Sequence, residues 1–452
     1  MTAAKDLTKG NVFKQLIEFS VPFFAAQLLQ AFYSIADMFI AGKYMGDYGI
    51  SAINAASNVI MFITMIISGF AVSGTVLVAQ YTGAGQHEEA KRTAGTLFSM
   101  FFAFAVVFSA IGLIFKVNIL NAINTPVEAF DEAKNYMTIC FLGIFFICGY
   151  NAVSAVLRGI GDSKRPLYFV AVSTITNIVL DVFFMGAFKM GAAGAALATV
   201  IAQALSFALA IKTLYNEKNI FDFSLSGLKI DFEKLGLIFK IGIPSAVQSA
   251  IVNISTLFVV SSINSYGLAS STAAGIGGKI DYFAILPTIA IGQSVSSMVG
   301  QNLGAEKIDR ARESFWWGTA ISFVFSLCVF LFVNFKGDFL YSIFDCSEET
   351  LEIGRMYIKF CTVAYIANSI TFIINNLATG SGNSIFALLT AFTSVVLARI
   401  PLIYLFETIL GYGLNGIFIA TGLGQFAGMI VGIGFYLSGK WRRIIIKEAA
   451  KN

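Results

Sequence analysis

The chain has 452 residues, 57% of them hydrophobic and only 12% charged, with 30 Lys and Arg against 26 Asp and Glu for a net charge of +4. Soluble domains carry about 25% charged residues, and the apolar residues here run in stretches long enough to cross about 30 Å of hydrocarbon as helices. A soluble fold is excluded, and helices are favoured over a barrel, whose strands would alternate apolar and polar residues.

In chain order, the opening MTAAKDLTKGNVFKQLIEFSVPFF lacks a charged stub followed by a short apolar core and a small-residue cleavage site, and reads as an uncleaved cytoplasmic lead-in. Apolar runs broken by polar or Gly/Pro punctuation then predict twelve transmembrane helices, near 15–41, 50–79, 93–115, 135–157, 166–188, 191–213, 237–263, 273–299, 314–335, 355–379, 384–408 and 411–437. The one long hydrophilic connection, residues 212–236, divides six spans from six. The expected organisation is an all-α integral membrane protein: an N-terminal six-helix bundle over 1–213, a cytoplasmic linker over 214–236 and a C-terminal six-helix bundle over 237–452. With the N-terminus inside, the inner segments carry 21 Lys or Arg and the outer loops 7, while Lys279 and Arg399 fall within spans. Both termini are therefore expected in the cytoplasm. The tail KWRRIIIKEAAKN sets Trp441 beside basic residues, a pattern read as interfacial anchoring.

Little conventional site chemistry is on offer. Cys140, Cys148, Cys328, Cys346 and Cys361 form no CxxC pair and four of them lie in apolar segments, so neither a disulfide framework nor a zinc site is indicated. The single histidine, His87, lies in the polar stretch GQHEEAKR and reads as a solvated loop residue. No enzyme, cofactor, metal or nucleic-acid partner is expected.

The halves resemble each other at a fixed shift. VAQYTGAGQHEEA (78–90) matches VGQNLGAEKIDRA (299–311), and RGIGDS (158–163) lies over TGSGNS (379–384), both 221 residues apart; Pro22 with Pro244, Gly191 with Gly413 and Gly194 with Gly416 differ by 222. An even number of spans per repeat makes the repeats parallel, related by an axis along the membrane normal, as in transporters that rock two bundles around a central cavity.

Of the 26 acids, only Asp37 and Asp181 lie clearly within spans, with Asp281 and Glu407 nearer span ends. A charge at the bilayer centre costs about 2.5–3.5 kcal/mol, so acids there face a wet cavity or a partner. Gln30, Tyr33 and Asp37 share one helical face of the first span; Ser173, Asn177 and Asp181 share one on the fifth; Thr199 and Gln203 are i and i+4 on the sixth. If these faces converge, the first bundle holds a pocket of carboxylates, amides and hydroxyls suited to a proton or Na⁺. The competing reading is a buried salt bridge, yet Lys279 and Arg399 belong to the other half. There, Asp37 falls on Phe258 or Val259 and Asp181 on Leu402 or Ile403, and the polar content is Gln248, Asn253, Asn368, Asn375 and Asn376. Cation coupling is expected to be lopsided.

LTKGNVFKQLIEFSVPF, YSIADMFIAGKYMG, VAQYTGAG, VGQNLGA, RGIGDSKRP and NIVLD, in this order and at the repeat spacing, resemble the MATE (multidrug and toxic compound extrusion) transporters, in their DinF-like or MepA-like bacterial branch. The likeness covers essentially the whole chain. It implies a monomeric, multi-pass antiporter of the inner (plasma) membrane that uses H⁺ or Na⁺ to export amphipathic, cationic small molecules by alternating access. It also implies a cation site of Asp37, Asn177, Asp181 and Thr199, and a first helix that bends at Pro22, where proline removes a backbone donor. Gln30, Tyr33 and Gln203 are expected to support this site, and Gln248, Asn253, Asn368 and Asn375 to line a cavity of the second bundle. NorM-like members carry acids on the seventh and tenth helices, where this chain has Asn253 or its neighbours, and Asn368. The nearest rival is a lipid-linked precursor flippase of similar two-bundle architecture, whose anionic substrate would favour a cavity lined by Lys and Arg.

Overall fold

A computed structural model describes residues 5–216 and 227–449. The first four residues of the lead-in, 217–226 of the expected linker and the last three of the tail lie outside the described residues. Every regular element among those described is helical, the arrangement in which backbone groups satisfy one another without water. The spans are α1 (Val12–Gly46), α2 (Tyr48–Gly83), α3 (His87–Ala122), α4 (Val127–Gly159), α5 (Lys164–Ala187), α6 (Gly191–Tyr215), α7 (Phe232–Asn264), α8 (Leu268–Gly304) and α9 (Ile308–Ser342). A pair bent by 44°, Glu348–Cys361 and Ala364–Gly380, forms α10, followed by α11 (Ser384–Ile409) and α12 (Leu414–Leu437). The twelve expected spans are all present when the bent pair counts as one. Gly46 separates α1 from α2 with φ 68° and ψ −160°, a backbone region open to glycine and strained for other residues.

The chain forms two compact units. Unit 1 comprises Met1–Asp6 and Val21–Gly242; unit 2 comprises Leu7–Ser20 and Ile243–Asn452. In unit 1, α4 packs against α3 and α6; in unit 2, its repeat counterpart α10 packs against α8, α9 and α12. Small residues allow these approaches. A Cβ on Gly159 would lie 2.9 Å from the Thr75 carbonyl oxygen, and one on Gly380 would lie 2.6 Å from that of Ser296. The same glycine therefore keys the same helix pair in both repeats.

The segment Leu7–Ser20 belongs to unit 2 and the residues that lead into α7 belong to unit 1, and the recurring motifs grip each within its own unit. In unit 2 the Gln301 side chain accepts from the Leu7 amide at 3.0 Å and Asn302 donates to the Leu7 carbonyl at 3.2 Å. Arg310 donates to the Gly10 carbonyl at 2.7 Å, Lys307 to the Thr8 carbonyl at 2.8 Å, and Phe13 meets Trp317 edge-on. In unit 1, Thr96 accepts from the Asp231 amide and Ser99 donates to the Leu228 carbonyl, while Lys234 reaches Tyr81 at 2.7 Å and Glu89 at 3.0 Å.

Pro22 and Pro244 lie inside α1 and α7, and neither has the backbone N–H with which other residues close a helical turn. One expectation is corrected. Trp441 is not an exposed interfacial anchor: it is 1% exposed, because its ring stacks on Tyr436 at 5.9 Å and Arg442 lies over it.

Gly380→Ala should lower stability by about 1–3 kcal/mol, since backbone rather than a movable side chain meets the new methyl. Gly434→Ala, with nothing within 4 Å of its Cβ position, should be neutral or stabilising. Thermal unfolding of the purified variants in detergent checks both.

Candidate functional site

The polar stripes on α1, α5 and α6 meet within unit 1. They border a cavity of about 490 Å³ whose lining includes Gln30, Tyr33, Ser173, Asn177, Thr199 and Gln203, with Tyr136, Asn151 and Met61. Thr199 ties the three helices together. Its hydroxyl shares a hydrogen bond with Tyr33 at 3.3 Å and accepts one from the Asn177 amide at 3.3 Å.

Asp37 and Asp181 stand behind this wall. Asp181 is fully buried, at 0% exposure, and Tyr33 lies within electrostatic reach of both carboxyl groups. The two acids are each other's neighbours, an approach that bare carboxylates resist and a shared proton or cation relieves. No protein donor reaches Asp37 Oδ1, either oxygen of Asp181, or Asn177 Oδ1, all of them buried. Buried acceptors are normally satisfied. These oxygens form a hard-oxygen donor set, which suits a proton or an alkali cation and not a soft metal. Asp181 is also the last α-helical residue before a π-helical stretch, Val182–Ala187, a local irregularity common at functional sites.

The second bundle is different. Asn253 turns its amide back on the Ser249 carbonyl at 2.9 Å, and Asn375 accepts from Thr390 at 2.6 Å. No hydrogen bond joins Gln248, Asn253, Asn368 and Asn375 to one another among the described residues. What unit 2 does assemble is a carboxyl clamp: Asp281 of α8 accepts from Tyr357 and from Tyr365, each at 2.5 Å. The two tyrosines lie on opposite arms of bent α10, so one carboxyl ties both arms across the break. Their i, i+8 spacing was a sequence signal for a shared face, but the acid opposite them lies on a helix far away in the chain. Glu407 likewise accepts from a tyrosine, Tyr266, at 3.0 Å. Lys279 lies over the Phe344 ring and Arg399 donates to Ser255, so neither cation serves these acids.

A duplicated bundle of membrane-crossing helices with a polar cavity inside one unit is the build of a transporter, not of an enzyme. The chain belongs to the MatE family, whose profile matches residues 22–183 and again 244–405, two segments 222 residues apart. The probable multidrug resistance protein YpnP of Bacillus subtilis is 28% identical over 439 residues, covering 97% of this chain and 98% of its own. The multidrug export protein MepA of Staphylococcus aureus is 22% identical, with 94% of each chain covered. In fold, a MOP superfamily transporter from Pyrococcus furiosus superposes with a TM-score of 0.90 at 21% identity, over 100% of this chain and 99% of that one.

Tyr357→Phe and Tyr365→Phe should each destabilise the protein by about 1.5–3 kcal/mol, the range for a hydrogen bond to a charged group. Because they share one carboxyl, the double variant should depart from additivity in a double-mutant cycle of thermal melts.

Proposed function

We propose that this MatE protein is a cation-coupled antiporter that exports amphipathic, cationic organic compounds by alternating access. Asp37, Asn177, Asp181 and Thr199 hold the coupling cation, H⁺ or Na⁺, with Gln30, Tyr33 and Gln203 supporting them. The observation that carries this reading is a fully buried Asp181 with Asp37 as its neighbour, three of the pair's four carboxyl oxygens being buried without a donor, beside a polar cavity. Such groups call for a positive charge that arrives from outside the protein. No Lys or Arg is among the residues lining the cavity, which favours a cationic guest over the anionic headgroup of a lipid-linked precursor.

The cation drives transport only if the two states bind it with different affinity. Helix α1 supplies a means. It carries Tyr33 and Asp37 above Pro22, where one backbone hydrogen bond is missing, so bending there moves Asp37 relative to Asp181 and Thr199. Among fold relatives, MATE structures are described in a bent and in a straight conformation, which is consistent with a fold that has two accessible shapes. The names of the Bacillus and Staphylococcus relatives support drug-like substrates. The bias of basic residues supports both termini in the cytoplasm; we take the membrane to be the plasma membrane and the working unit to be one chain.

Efflux of a fluorescent organic cation from proteoliposomes, under an imposed pH gradient or an imposed Na⁺ gradient, tests the proposal and identifies the ion. The parent should respond to one gradient, and Asp181→Asn and Asp37→Asn should fall to the level of protein-free vesicles. Gradient-driven efflux that survives Asp181→Asn would remove the proposed site. Thr199→Ala should remain folded and raise the half-saturating cation concentration about tenfold, equivalent to about 1.4 kcal/mol for one lost oxygen ligand.

A further inference from the structure

Arg399 is a buried cation that the transport reading does not use. It is 7% exposed, within α11 at the end of the π-helical stretch Thr393–Arg399. Its Nη1 donates to Ser255 Oγ of α7 at 3.1 Å, while its Nε is buried and has no acceptor. No Asp or Glu pairs with it among the described residues. Of the acids of unit 2, Asp281 is engaged by Tyr357 and Tyr365 and Glu407 by Tyr266. The ionisable groups facing the guanidinium are Cys361 and Tyr357 of α10. From α12, the bare Cα of Gly424 makes room for the Arg399 backbone and Cβ.

The repeat register explains why this position matters. Around these residues the shift is 222, as Pro22 with Pro244, Gly191 with Gly413 and the π-helical stretches Val182–Ala187 and Tyr404–Ile409 show, and at that shift Tyr33, Asp37, Asn177, Asp181 and Thr199 correspond to Ser255, Val259, Arg399, Ile403 and Thr421. Packing agrees with this register. Asp37 and Asp181 are neighbours in unit 1, and Val259 and Ile403 fall in one buried apolar cluster of unit 2. At the same place in the fold, the second repeat has exchanged two carboxyls for hydrocarbon and an amide for a guanidinium. The sign of the site is inverted.

A guanidinium in such surroundings requires a compensating charge. With Nη1 committed to Ser255, the edge left open is that of Nε and Nη2, the fork that takes a carboxylate through two parallel hydrogen bonds. We infer that Arg399 is the centre of an anion site in unit 2, which takes a monovalent anion on its Nε and Nη2 edge: chloride, or the carboxylate group of a transported compound. The inference does not rest on the cation reading of unit 1, since it concerns other helices and its test reads anion binding alone.

The test uses the full chain in nanodiscs of zwitterionic lipid, at constant ionic strength set with sodium methanesulfonate. The unfolding midpoint is followed as chloride or acetate replaces that bulkier anion. The parent should show a saturable rise that is absent in Arg399→Gln and retained in Arg355→Gln, which removes an exposed arginine paired with Asp338. A rise with chloride alone assigns a free halide site; a rise with acetate, competed by chloride, assigns a carboxylate site. A parent that is indifferent to both anions, or an Arg399→Gln variant that keeps the parent's response, overturns the inference. Should Arg399→Gln fail to fold, equilibrium dialysis of the parent with ³⁶Cl⁻ and with ¹⁴C-acetate decides: saturable uptake of either supports the site, and none refutes it.

Discussion

A carboxylate inside a helical bundle has no water to solvate it, and in unit 1 two of them are neighbours. That pairing governs the arrangement around it. Asp181 is fully buried on α5 and Asp37 approaches it from α1, with donors missing from both Asp181 oxygens and one of Asp37. Thr199 on α6 holds Tyr33 and Asn177 in place beside them, so three helices are positioned by one hydroxyl next to an unmet electrostatic demand. Such a pair is stable only with a positive charge between or beside its members. It is for this reason that the proposed coupling cation is part of the architecture and not an accessory to it.

The second repeat keeps the packing and changes the chemistry. Gly159 and Gly380 let equivalent helices approach to backbone contact, and a change there would be felt by a whole helix pair. Polar side chains in the interior are under a different constraint, since each needs only a local partner. At the positions of Asp37 and Asp181, unit 2 has Val259 and Ile403 within an apolar cluster. Its carboxyl instead lies on α8, satisfied by two tyrosine hydroxyls across the α10 bend. Asp281 is thus a group at rest in this conformation, whereas the acids of unit 1 are not.

The recurring motifs acquire a physical meaning from the way each repeat begins. Gln301 and Asn302 of VGQNLGA, with Lys307 and Arg310, hold the backbone of residues 7–10. Tyr81 of VAQYTGAG receives Lys234. The side chains of residues 301–310 thus satisfy backbone carbonyls and an amide just before the chain enters its first helix.

How much of this was legible beforehand depends on the range of the forces involved. Runs of apolar residues determine spans because each residue's transfer to hydrocarbon adds independently of what it later touches, and all twelve spans were readable on that basis. Periodicity along a helix is equally local, so the stripes Gln30–Tyr33–Asp37 and Asn177–Asp181 and their residence in one bundle could be read from spacing and from the duplication. The contacts that join different helices could not. Asp281 with Tyr357 and Tyr365, Arg399 with Ser255, and Trp441 beneath Tyr436 pair residues from separate segments, and nothing in one segment records which face its neighbour presents. Sequence by itself determined a duplicated helical membrane protein with two interior acids in its first half; which polar groups meet, and which buried charges are left without a partner, was decided only when packing chose among the faces.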